Sequence, residues 1–269
     1  MWLLDHLVAV FSNPLNLAAL AMFALLALAE RLWPARALPA VRGWRLKGVA
    51  FTLLSILISS STPLLWDEWL SEYRLIDARG LGDLGGALAG FVVYELGVWG
   101  WHRCMHASGV LWRGLHQLHH SAERLDVFGA FYFHPLDVVG FSLVTSVSLV
   151  GVLGLTANAA IAAGLLLTFC NFFQHANLRT PRWLGYVIQR PESHAIHHSR
   201  GVHAYNYSDL PLWDLVFGTF RNPSRCDAPA GYYDGASRRV LEMLIGRDVS
   251  APRRASAAPL TGPASAQRA

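Results

Sequence analysis

The chain has 269 residues and a formal charge of +4; 53% of it is hydrophobic, only 15% is charged, and ten residues are tryptophan. This is more apolar than soluble domains are and points to a membrane protein. The basic residues lie in short loops and the C-terminal tail without interleaved aromatics, which argues against nucleic acid as a partner, and three cysteines with no CxxC pair argue against a disulfide framework or thiolate metal site.

In chain order, Leu15–Leu32 carries no charge before Glu30 and is close to the length needed to cross about 30 Å of hydrocarbon. Gly48–Trp66 is a second apolar run ending in a Ser/Thr cluster, whose hydroxyls can bond to helix carbonyls. A third, Leu84–Trp101, contains Gly85, Gly86, Gly90, Gly97 and Gly100, small residues that let helices approach closely in lipid. Its Glu95 reads either as a functional intramembrane carboxylate or as a group that caps a loop. Leu136–Leu155 and Ala157–Phe173 form a tight helical hairpin.

The loop charges orient these runs. Arg31, Arg36, Arg42, Arg45 and Lys47 crowd the first loop, whereas the second holds Asp67, Glu68, Glu72, Asp77 and Asp83 against Arg74 and Arg79. Because Lys and Arg near short spans are retained on the cytoplasmic side, Trp101–Pro135 and everything after Phe173 are expected there. The expected architecture is all-α: a polytopic bundle of about four to five membrane helices with a cytoplasmic helical cap. Residues 1–83 supply the N-terminal membrane helices, 84–221 the catalytic region, and 222–269 a tail that is Ala/Pro/Ser/Arg-rich and expected to be disordered from about Asp248.

Twelve histidines are present, and eight fall into three clusters: His102 and His106 in HRCMH, His116, His119 and His120 in HQLHH, and His194, His197 and His198 in HAIHH. Random placement would give roughly 0.02 copies of HxxHH in the chain, and there are two. Residues at i, i+3 and i+4 share a helix face, so each cluster is expected to present its imidazoles to one point. Eight or more converging nitrogens exceed what one tetrahedral or octahedral ion can use, which makes two metal ions the economical reading. His175, at the end of an apolar helix, faces the same way; His134, before Pro135, reads either as a ligand or as a helix cap. His6 and His203 taken singly read as ordinary hydrogen-bonded residues. Asp126, Asp137, Glu192, Asp209 and Asp214 are candidates to hold the second nitrogen of a ligand histidine, Asp214 foremost, with Asn206 and Tyr207 bracing the last cluster. Trp99, Trp101, Phe128, Phe131, Tyr132 and Phe133 read as interfacial anchors, or else as the lining of a lipid tunnel.

The three boxes in this order, followed by YNYSDLPLWDLVFGTF at Tyr205–Phe220, resemble the fatty acid hydroxylase superfamily, often called the sterol desaturase family, over roughly Leu84–Phe220. The resemblance implies two iron ions beneath a cytoplasm-facing cap, with zinc a substitute on overproduction, and O₂-dependent hydroxylation or desaturation of a membrane lipid. It also implies a ligand set of His102, His106, His116, His119, His120, His194, His197 and His198, with His134 and His175 where the family has further histidines. Electrons would come from a separate donor protein, since no Gly-rich dinucleotide fingerprint or cysteine cluster is visible. Ser208 departs from the family's glycine after Asn206-Tyr207 and is expected to alter a turn. The alternative is a histidine-rich metal transporter or structural zinc protein, which would place ionisable residues at the midplane of several spans.

Overall fold

Five helices are long and apolar enough to cross a membrane among residues 2–252, the part of the chain that the computed structural model describes. They are Pro14–Leu32, Trp44–Leu65, Ala78–Ala107, Pro135–Val152 and Ala157–His175, here spans one to five. The fold is all-helical, with no strand among the described residues. Local chemistry sets the ends. Pro14 opens span one behind Asn13, whose side chain accepts from Leu15 N–H, and Thr156 caps span five through Ala159 N–H. Span three is longer than the apolar run alone suggests because nothing breaks the helix between Trp101 and Ala107, so His102 and His106 ride on its last turns.

The small residues of span three do what lipid packing requires, though not all of them. A Cβ on Gly86 would lie 2.8 Å from that of Ala159, and one on Gly90 would lie 2.9 Å from Leu149 and Leu155, whereas Gly100 has nothing within 4 Å. Gly90→Leu is therefore expected to overpack the bundle and cost about 1–3 kcal/mol, seen as a lower thermal midpoint in detergent, while Gly100→Leu should be near neutral.

Spans three and five end, and span four begins, at the same end of the bundle, and the cap is built there. Trp44, Leu118, Tyr132, Met243 and Val249 form its buried core, with the Trp44 indole donating to Asp126 at 2.7 Å. Tyr132 is fully buried, so it is core rather than an interfacial anchor. Two carboxylates within the spans tie the cap down. Glu30 accepts the N–H groups of Val127 and Asn177 at 2.8 and 2.6 Å, and Glu95 those of Asp209 and Leu210 at 2.6 and 3.2 Å. Each satisfies two backbone donors that would otherwise be stranded, which resolves Glu95 as a loop cap. Arg36 donates to the carbonyls of Cys226 and Ala228, and Lys47 to that of Ser237, so the basic first loop is docked on the cap. Order continues past Asp248, because Val249 is buried and donates its N–H to Gln117. The rest of the expected disordered tail, residues 253–269, lies outside the described residues.

Candidate metal centre

Nine histidines converge at the cap end of the bundle in two groups. His102, His106, His116, His120 and His197 form one; His119, His175, His194 and His198 form the other. Within each, the ligand nitrogens lie within 4.8 Å of one another. The division corrects the expectation that each box serves one point. In HQLHH, His116 and His120 join the first group and His119 the second; in HAIHH, His194 and His198 join the second and His197 the first. The helix explains it: positions i and i+4 differ by about 40° and stay together, whereas i+3 lies about 100° from i+4 and turns to the other site. Each HxxHH box thus bridges both groups.

What fixes the ring orientations is mostly backbone, and that was not readable from side-chain patterns. His102 Nδ1 contacts Tyr207 O at 2.8 Å, His197 Nδ1 contacts Tyr205 O at 2.7 Å, and His175 Nδ1 contacts Asn171 O at 2.7 Å. His116 Nδ1 contacts the Asp137 carboxylate at 2.7 Å. A carbonyl or carboxylate only accepts, so in each case Nδ1 carries the hydrogen and the neutral ring turns the bare lone pair of Nε2 inward.

This has a sharp electrostatic consequence. The Nε2 atoms of His102 and His116 are 2.9 Å apart, each with a lone pair and neither with a hydrogen to share. Nε2 pairs also stand at 3.0 Å for His120 and His197, 3.1 Å for His119 and His175, 3.1 Å for His175 and His194, and 3.0 Å for His194 and His198. For His102 and His116, whose tautomers are both fixed, the facing lone pairs repel unless a cation lies between them, and ligands at right angles on an ion with bonds of about 2.1 Å would be about 3.0 Å apart, the spacing of all these pairs. Burial first, and then the neighbouring imidazoles, holds His119, His120, His194, His197 and His198 well below the usual histidine range. The donors are therefore neutral and ligand-competent at ordinary pH. The residues present fit metal ions, and an all-imidazole set suits iron or zinc rather than magnesium or calcium.

The remaining predicted residues fall as follows. His134 joins neither group: Nδ1 accepts from Leu136 N–H at 3.1 Å and Nε2 meets Leu244 O at 3.2 Å, so it caps span four, as the following proline favours. Asp214 touches no histidine. It accepts from Tyr207 N–H, Ser208 N–H, Ser208 Oγ and Thr219 Oγ1, bracing the loop whose carbonyls hold His102 and His197. Asp137, on the helix facing the boxes, takes the direct role instead. Asp126, Glu192 and Asp209 bond to Trp44, Thr180 and Gln174 respectively.

Asn206 stitches the same loop to Ser193 and Arg221, and the Tyr207 ring packs 5.5 Å from His102 and 5.6 Å from His197. His203, Tyr205 and Asn206 hold left-handed φ of 42°, 69° and 50°, a strained run that these bonds sustain. Ser208 adds a hydroxyl bond to Asp214 in that turn. His203, which sequence reasoning set aside, stands with its Nδ1 3.0 Å from that of His120; an isolated histidine gave no signal of this.

Below the second group opens a cavity of about 600 Å³, reached by His102, His116, His119, His175 and His194. Phe131 and Phe133 line it, and Phe133 lies 4.2 Å from the His119 ring, so for these two aromatics the tunnel reading holds over anchoring. The rest of the wall is largely apolar, with Val98, Phe141 and Leu149 among its residues.

Residues 87–219 match the family model for fatty acid hydroxylase. Among curated relatives, an ornithine lipid hydroxylase of Rhizobium tropici is 28% identical over 78% of this chain and 68% of its own length. Sphinganine C4-monooxygenase 1 of Arabidopsis thaliana is 30% identical over 44% of this chain and 47% of its own, and a Delta(7)-sterol-C5(6)-desaturase of Nicotiana tabacum is 28% identical over 63% and 62%. For the last two, the alignment spans under two thirds of the relative. No solved structure is a significant match. The matched region contains every histidine of both groups as well as Asp137 and Asp214, and through this domain the chain belongs to the fatty acid hydroxylase superfamily.

Proposed function

We propose that the chain is an integral-membrane oxidoreductase that binds two iron ions, one in each histidine group, and uses O₂ to hydroxylate or desaturate a lipid. The observation that carries this is the placement of two sets of converging imidazole nitrogens at the head of a largely apolar cavity within the bundle. Bound iron would supply the oxygen chemistry that acid–base side chains cannot, with the neutral imidazoles as its ligands. The protein's part is orientation and exclusion of water. Asp137 and the carbonyls of Asn171, Tyr205 and Tyr207 hold the rings, and Phe131 and Phe133 present an alkyl chain to them across a dry wall.

The same reading places the cap on the cytoplasmic side, in keeping with the basic first loop docked upon it, and assigns electron delivery to a separate protein. Both matched hydroxylases and the matched desaturase act on lipids by name, which supports the substrate class. Lipid extracts from cells with and without the protein, grown under ¹⁸O₂, provide the test. A lipid gaining one labelled oxygen, or two fewer hydrogens, only when the protein is present is the expected result. No oxygen-dependent change in any lipid, with a single tightly bound zinc, would overturn the reading.

A further inference from the structure

The cavity has two ends of different chemistry. One is the histidine centre. The other is walled by Asn13, Asn16, Ser59, Ser60 and Asp67, all N-terminal to the matched domain. Span five lines the cavity from Ala160 to His175, which at about 1.5 Å of rise per residue separates the ends by about 22 Å.

The far end is incompletely satisfied by the protein. Asn16 Nδ2 donates to Val10 O and Ser60 Oγ, and Ser59 Oγ donates to Ser55 O. These bonds leave the Asn16 carbonyl and lone pairs on both hydroxyls available, and one carboxylate oxygen of Asp67 is buried with no partner. The end is thus rich in acceptors. It also reaches the surface, because Asn13 is exposed.

Building on the lipid-oxidising reading above, we propose that the cavity holds an amphiphile with a hydrogen-bond-donating polar group, a hydroxyl or an amine, at the Asn16, Ser59, Ser60 and Asp67 end. The carbon that is oxidised then lies about 20 Å away, remote from that group, and the N-terminal helices set the position of attack along the chain. A carbon next to a headgroup bound at this end would not reach the histidines. Gly164 supplies a gauge of depth: it lines the cavity, a Cβ there would meet nothing within 4 Å, and it lies eleven residues, about 16 Å, before His175.

The test is binding of 1-hexadecanol and of hexadecane, probes of equal chain length, to the purified full chain in nanodiscs, measured by native mass spectrometry without turnover. Wild type should bind hexadecanol about three- to tenfold more tightly, the worth of a hydrogen bond or so. Ser59→Ala with Ser60→Ala and Asp67→Ala should abolish that preference while retaining hexadecane. Gly164→Phe, and Gly164→Leu as a smaller plug, should weaken both probes by about tenfold or more, with Gly164→Ala unchanged. Equal binding of the two probes by wild type, a preference that survives the polar-end variants, or unaltered binding in both plugged variants would overturn the proposal. Intact binding differences without any oxygen-dependent change in a lipid would count against the lipid-oxidising reading instead, so the two failures are distinct.

Discussion

Replacement of His119 or His197 by Ala is expected to abolish oxygen-dependent turnover while leaving the protein inserted in the membrane. The two residues belong to different groups, so the pair asks whether both sites are needed. Loss of a mere partner behind a ligand already costs about 10–100-fold, so loss of a ligand should exceed about a hundredfold. Folding should survive better than activity. Removing one buried imidazole leaves a void in the cap but leaves the five apolar spans that insert the chain unaltered. Activity assays on membranes, with the amount of inserted protein normalised by blotting, check this; full activity in either variant would remove that residue from the site.

Asp137→Asn should lower metal affinity or turnover by about 10–100-fold with the fold intact. The carboxylate is fully buried and its contact is with His116 Nδ1 at 2.7 Å, so it sets that ring's tautomer and supplies charge behind the ligand. An amide of the same shape can present its nitrogen to His116 and so favour the wrong tautomer. Asp214→Asn makes the contrast. That side chain accepts four bonds from the loop and none from a histidine, so its loss should appear first as a lower thermal midpoint and only through it as lost activity. Metal titration and thermal unfolding of both variants separate the two roles; equal loss of stability in both would show Asp137 to be structural.

Much of this was legible in the sequence because it rests on periodicities. The apolar runs placed four of the spans to within about four residues and the third six residues short at each end, and the paired HxxHH boxes gave most of the histidines that gather. The split of each box between two groups was implicit in the same helical angle but was not drawn from the spacing. Other features had no local signal. The partners of His102, His175 and His197 are backbone carbonyls, which any residue offers, and the strained run at 203–206 that aims two of them is a tertiary outcome. Asp137 was one of five acidic candidates, and Asp214 looked better because it lies in the motif beside the last box. His134 illustrates competition between roles, since a histidine before a helix-opening proline can cap or ligate, and here it caps. The aromatics near the third and fourth spans matched an interfacial belt in composition; burial of Tyr132 and the cavity contacts of Phe131 and Phe133 put these three inside, while Trp99, Trp101 and Phe128 are half-buried.

The central claim is that two groups of neutral imidazoles each hold a metal ion. Metal analysis of the full chain, purified anaerobically from iron-supplemented cells, together with Mössbauer spectroscopy of the same sample, tests it most directly. The account predicts two iron ions per chain in nitrogen-rich surroundings, reduced toward one in His119→Ala and in His197→Ala. One ion per chain in the wild type, or two that both variants retain unchanged, would contradict it.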